Sequence, residues 1–315
     1  MAFATQLAAG RHWRSALVQH RRTPAALALL AALTYLFLWR LWAAIPQDRA
    51  TFPEKSDLSE GFFPPRFFVA STLARGELPL WNPHIFSGYP QFADPQSATF
   101  YPIELAFALL AGARFSLDTV AASIGLHFFL AGAFAFFFFK RLFGGWLPAL
   151  LSAAVFEFGG FLTGFAPLQV SELEAAVWLP ATLWAVTWAV DHRSRWRMAL
   201  AGLAFSQVFL TGRPQSYLTI APLSLAWLGY YAHSKGWRWP ATLGHAALMG
   251  GVALGAAAAL GITHLMSSLL YGVQSRDPLT FVLGPLILGV VSVLASWIPA
   301  RRAAAMDPVR ALRLD

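Results

Sequence analysis

Carboxylates set among prolines and aromatic residues are the groups in this chain best placed to do chemistry. Between Gln47 and Ser116 lie Asp48, Glu54, Asp57, Glu60, Glu77, Asp94 and Glu104. A carboxylate in such a segment can take a proton from a hydroxyl. Pro53, Pro64, Pro65, Pro79, Pro83, Pro90, Pro95 and Pro102 are interleaved with them, which forbids one long helix and favours a turn-rich fold. A second set of ionisable residues sits inside apolar runs: His127, Glu157, Glu172 and Glu174. In a bilayer each must find a partner or water, because a charge facing lipid is costly. For Glu157 a functional role and an interhelical hydrogen bond are both open. Arg40 can snorkel to the interface. The eight histidines show no ligand spacing and there is no cysteine, so no metal site, disulfide or cysteine nucleophile is expected. No Gly-rich phosphate loop of Walker type occurs, so ATP is not bound through that motif, and no cofactor is expected.

The elements that must position these groups are membrane helices. With 57% hydrophobic and 12% charged residues, 27 Phe and 13 Trp, the chain has more apolar surface than a soluble core can hide. Apolar runs predict an all-α, polytopic integral membrane protein with about eight transmembrane helices, at roughly 24–45, 118–139, 146–166, 173–190, 198–216, 217–232, 243–263 and 280–299. The net charge of +8 is dispersed between these runs and forms no single basic face, so nucleic acid is not expected as a partner; the bilayer is. Basic residues cluster at Arg11 to Arg22, Lys140 and Arg141, Arg193 to Arg197, Lys235 and Arg238, and Arg301 to Arg313. By the positive-inside bias these segments are cytoplasmic. Both termini are then cytoplasmic, the first span is a retained anchor, and the segment at about 47–116 is the one long extracytoplasmic loop. The short apolar stretch Tyr101 to Gly112 is expected to be an interfacial or re-entrant helix.

That loop carries a family likeness. Asp57-Leu58, Phe62-Phe63-Pro64-Pro65, Leu73 to Pro83, Ser87-Gly88-Tyr89-Pro90, Ala93 to Ser97 and Phe100-Tyr101-Pro102 resemble the first outer loop of YfhO-type bacterial membrane proteins. Gly159-Gly160-Phe161, Trp178-Leu179-Pro180 and Gly212-Arg213-Pro214-Gln215 extend the likeness over roughly residues 20–230. The resemblance implies a GT-C-like architecture, similar to glycosyltransferases that use a polyprenyl-phosphate-sugar donor. In such enzymes an outer-loop carboxylate accepts the acceptor's proton, and the phosphate leaving group needs cationic stabilisation. It makes Asp57 the first candidate for the base, Asp48 the second and Asp94 the third. Arg75 and Arg213 are the candidates to face a lipid phosphate, and Glu157 is added to the substrate-binding set.

A different likeness begins near Gly250. Gly250 to Gly255, Ser267 to Val273, Asp277 to Phe281 and Pro299-Ala300-Arg301-Arg302-Ala303-Ala304 resemble the terminal helix pair of MacB/FtsX-type ABC transporter permeases. This implies two modules, residues 1–235 and 243–315, in the bacterial inner (cytoplasmic) membrane. The leading expectation is a glycosyltransferase-like protein acting on a lipid-linked sugar or envelope glycopolymer. The alternatives are a permease component of an export system with an ABC ATPase partner, and a truncated fusion without activity.

Overall fold

The computed structural model describes residues 22–43, 56–164 and 169–269, with only backbone beyond Gly255. Among these residues the chain is helical, with no strand and one isolated antiparallel bridge, Asn82 to Tyr89. The first helix, α1, runs Arg22–Phe37. A π-helical turn at Asp57–Phe62, opened by a reciprocal Ser56/Ser59 capping box, leads directly into α2, Phe63–Ala74. Prolines begin helices here instead of excluding them: Pro64 and Pro65 occupy the first turn of α2, and Pro102 begins α3, Pro102–Ala111. At Pro102, which follows the extended Tyr101, the missing N–H had no intrahelical acceptor in any case. The expected short helix over Tyr101 to Gly112 is therefore present as α3.

The longest apolar helix, α4, spans Leu117–Phe143 between a Ser116/Thr119 capping box and Gly144, whose φ of +71° closes the C-terminus as its N–H bonds the Lys140 carbonyl. It is followed by α5 (Trp146–Glu157), α6 (Gly160–Gly164), α7 (Val170–Ala176), α8 (Trp178–Asp191), α9 (Arg195–Leu210), α10 (Pro214–Ser234) and α11 (Trp239–Leu269). Among the described residues three stretches are long and apolar enough to cross a membrane: α4, α5 continued by α6 (Trp146–Gly164), and α7 continued by α8 (Val170–Asp191). The chain is thus compatible with a membrane protein, while the expected count of about eight spans is not confirmed. The first expected span, 24–45, falls on a helix that ends at Phe37. The fifth falls on α9, which has 16 residues and opens on Arg195 and Arg197. The last, 280–299, lies outside the described residues.

Contacts at the helix ends give the bundle two chemically different poles. At one, Lys140 donates to Thr23, Arg22 lies over Trp146 at 5.5 Å, Arg141 pairs with Asp191 at 2.9 Å, and Tyr231 and Lys235 reach the same Asp191 at 2.9 and 3.3 Å. At the other, α2, α3 and the turns around them fold onto the starts of α4 and α7. Leu58, Phe62, Val69, Ala108 and Phe115 bury against Val120, Ile124, Phe128, Leu173 and Val177. The connecting turn is locked by Trp81 lying over Gly88, whose φ of +121° and lack of a Cβ allow the approach.

Small residues set the helix spacing. Gly132 of α4 faces Glu157 so closely that a Cβ would stand 1.9 Å from the carboxylate. Glu157 in turn accepts a hydrogen bond from Thr34 of α1. Gly202 of α9 lies against the α11 backbone, where a Cβ would meet the Met249 carbonyl at 2.7 Å and Val252 Cβ at 2.9 Å. In lipid, where burial supplies little drive between helices, such close approach carries the association. The chain divides into two compact units, Met1–Ala257 and Ala258–Asp315, and these contacts belong to the first.

Because the obstacle at Gly202 includes backbone, Gly202→Ala should destabilise the protein by about 1–3 kcal/mol. Gly229→Ala, at a helical position with nothing within 4 Å, should be neutral or stabilising by up to about 1 kcal/mol. Thermal unfolding of the two variants in detergent checks this; equal melting temperatures would contradict the proposed α9–α11 packing.

Candidate functional site

At the pole covered by the loop, five side chains from four elements meet in a dry charged cluster. Arg66 comes from α2, Tyr101 and Glu104 from the start of α3, His127 from α4 and Glu174 from α7. Arg66 forks onto Glu174, Nη1 to Oε1 at 2.7 Å and Nη2 to Oε2 at 3.0 Å, and Nη1 also reaches Glu104 Oε2 at 3.1 Å. The side chains of Arg66 and Glu174 are 4% and 0% exposed. Burial opposes the charge on Arg66, but the two carboxylates outweigh it and move its pKa upward. Glu104 takes a further hydrogen bond from the Ser123 hydroxyl.

The neutral side of the cluster is a directed chain of donors. Trp178 Nε1 donates to the Tyr101 hydroxyl at 2.9 Å, and that hydroxyl stands 2.9 Å from His127 Nε2. His127 Nδ1 lies 2.8 Å from the Ser123 carbonyl, which can only accept, so Nδ1 carries the proton and Nε2 accepts from Tyr101. Burial and then the nearby Glu174 raise the pKa of Tyr101, keeping it a donor. This geometry suits the Nδ1–H tautomer of a neutral His127.

One oxygen or nitrogen each from Glu104, His127 and Glu174 lie within 4.8 Å of one another, a donor set of the kind that holds a metal ion. Their attachment to three separate helices explains why linear histidine spacing was uninformative. In this arrangement the Arg66 fork already supplies the positive charge, and Tyr101 occupies the histidine's free nitrogen. The cluster's evident action is mechanical: it fastens the loop to the helices.

The residues singled out from sequence fall elsewhere. Asp57, exposed at the start of the π-helical turn, accepts from Gln169 Nε2. Three residues on, Glu172 binds Arg213 Nε at 2.8 Å and Ser216 at 2.8 Å. The first turn of α7 therefore contacts both Asp57, from the loop, and Arg213, from the turn before α10. Asp94 is tied into its own turn, accepting from Gln96 N at 3.0 Å, and burial raises its pKa. Arg75 is exposed and held by Glu77 at 3.3 Å and Thr72 at 3.1 Å. Glu157 is fully buried beside Thr34 and joins α1 to α5. Asp48 lies outside the described residues.

Sequence reasoning picked out His127 and Glu174 as ionisable groups in apolar runs, but not Arg66 or Tyr101 as their partners. The available signal was an arginine following Phe62-Phe63-Pro64-Pro65 and preceding an apolar stretch. No protein-family model, no curated protein and no solved structure matches this chain.

Removing one member of a buried ion cluster costs most when it strands like charges. Arg66→Gln leaves two carboxylates facing each other and should destabilise by about 3–5 kcal/mol, whereas Glu104→Gln leaves a one-to-one pair and should cost clearly less. Unfolding in detergent distinguishes them; a larger loss for Glu104→Gln would refute this account of the charge balance.

Proposed function

We propose that the protein transfers a glycosyl group from a polyprenyl-phosphate donor at the loop-covered pole of the bundle, with Asp57 as the base toward the acceptor hydroxyl and Arg213 as a cation toward the donor phosphate. The observation that carries the reading is the convergence of these two residues on the first turn of α7, through Gln169 and Glu172. Glycosyl transfer with inversion needs these two charges, a carboxylate to remove a proton and a cation where negative charge collects on the leaving phosphate. Gln169 orients the carboxylate and Glu172 orients the guanidinium, so both are held before substrate arrives. The likeness of the surrounding loop to YfhO-type proteins points to the same chemistry. In this reading the loop-covered pole faces away from the cytoplasm and the pole rich in lysine and arginine faces it.

Membranes containing the protein, supplied with a panel of labelled polyprenyl-phosphate sugars, give the direct test. Asp57→Asn should lower transfer by about 10²–10⁴-fold. Asp94→Asn, which keeps the acceptor for the Gln96 N–H, should leave transfer unchanged. Wild-type rates in Asp57→Asn would remove Asp57 from the mechanism. No transfer by the wild-type protein, with ATP-dependent export restored when an ABC ATPase is co-expressed, would favour the permease reading. Topology is checked separately: reporter fusions after Arg141 and Lys235 should read cytoplasm and a fusion at Pro83 the outside, and a cytoplasmic Pro83 would invert the assignment.

A further inference from the structure

At the opposite pole, the turn between α8 and α9 and the turn between α10 and α11 enclose a cavity of about 280 Å³ lined by Arg193, Gly236, Trp237, Arg238, Ala241 and His245. We propose that this cavity binds a phosphate group, on a phospholipid headgroup or on a soluble phosphate. Its size falls at the lower edge of the roughly 300–1,000 Å³ range of small-molecule pockets, so it suits a headgroup better than a large cofactor.

The lining combines charge, a floor and an unused polar atom. Arg193 and Arg238 are exposed, and among the described residues neither forms an ion pair or a side-chain hydrogen bond, in contrast to Arg141, which is neutralised by Asp191. Arg193 is held in place by its backbone, with φ +47°, and its guanidinium lies 5.9 Å from the centre of the buried Trp237 ring. That stacking leaves the N–H edges of the guanidinium available for an anion. His245, 9% exposed, is gripped on two sides: its ring packs edge-on to Trp237 at 4.6 Å, and its Nδ1 donates to the Ala241 carbonyl at 2.8 Å. Its Nε2 is buried with no hydrogen-bond partner among the described residues. That nitrogen is an acceptor for a protonated phosphate or, on the imidazolium, a third donor. No acidic side chain lines the cavity. Basic pockets between membrane helices hold phosphorylated headgroups by this combination of fixed cations and an aromatic wall.

The experiment uses the full-length protein in neutral detergent and counts bound dioleoylphosphatidylglycerol by native mass spectrometry, alone and with inorganic phosphate as competitor. Arg193→Gln/Arg238→Gln should weaken lipid binding about tenfold or more, and His245→Phe by a smaller factor. Arg195→Gln, on the same pole but outside the cavity, should change it less than about twofold. Competition by millimolar phosphate would identify the phosphate group itself as the recognised element, and binding indifferent to free phosphate would identify the lipid. Both outcomes support the site. Equal losses for Arg195→Gln and the Arg193/Arg238 pair would show general attraction to a basic surface, and wild-type binding by the pair would exclude the cavity; each overturns the proposal.

Discussion

A single guanidinium held between two carboxylates governs the loop-covered half of the molecule. Arg66 can be dry only because Glu174 and Glu104 both meet it, and those acids can be dry only because Arg66 and the Ser123 hydroxyl are there. Such a group has no partly assembled form of low energy, since any missing member leaves a buried charge without a counterpart. Its members come from α2, α3 and α7, so the loop is either seated on the helices or displaced as a unit. The placement of Asp57 beside Gln169 is a consequence of that seating.

The neutral chain from Trp178 through Tyr101 to His127 complements the charged one. Its bonds run in one direction, each group donating to the next, which fixes the histidine tautomer without a carboxylate on the ring. A proton on Nε2 would turn the Tyr101 hydroxyl from donor to acceptor and break the single direction of the chain.

Much of this was legible from sequence as categories, and less as partnerships. Apolar runs with an ionisable residue inside marked His127 and Glu174, because the cost of a lipid-facing charge is independent of fold. Arg66 gave no such warning, since an arginine in a hydrophilic, proline-rich segment reads as solvated until α2 is seen lying against α7. Glu104 stood in the apolar stretch of α3, and a lone acid on a helix otherwise made of Pro, Ile, Leu, Phe and Ala was a usable clue. Prolines excluded one long helix in the loop without showing that Pro64, Pro65 and Pro102 would stand in the first turns of the short α2 and α3. Run length proposed about eight spans, of which three are long and apolar enough among the described residues. Hydropathy marks an apolar run without fixing where its helix ends: α1 closes at Phe37, and α9 has 16 residues.

The contact between Gly132 and Glu157 has a bearing on how the sequence can drift over evolutionary time. The glycine leaves a notch, and the acid fills it while its other oxygen holds Thr34. Neither position is free alone: a bulkier residue at 132 evicts the carboxylate, and a shorter one at 157 empties the notch and releases α1. Among descendants of this chain the three sites should change together, with a larger side chain at 132 accompanied by a small residue at 157 and an apolar one in place of Thr34.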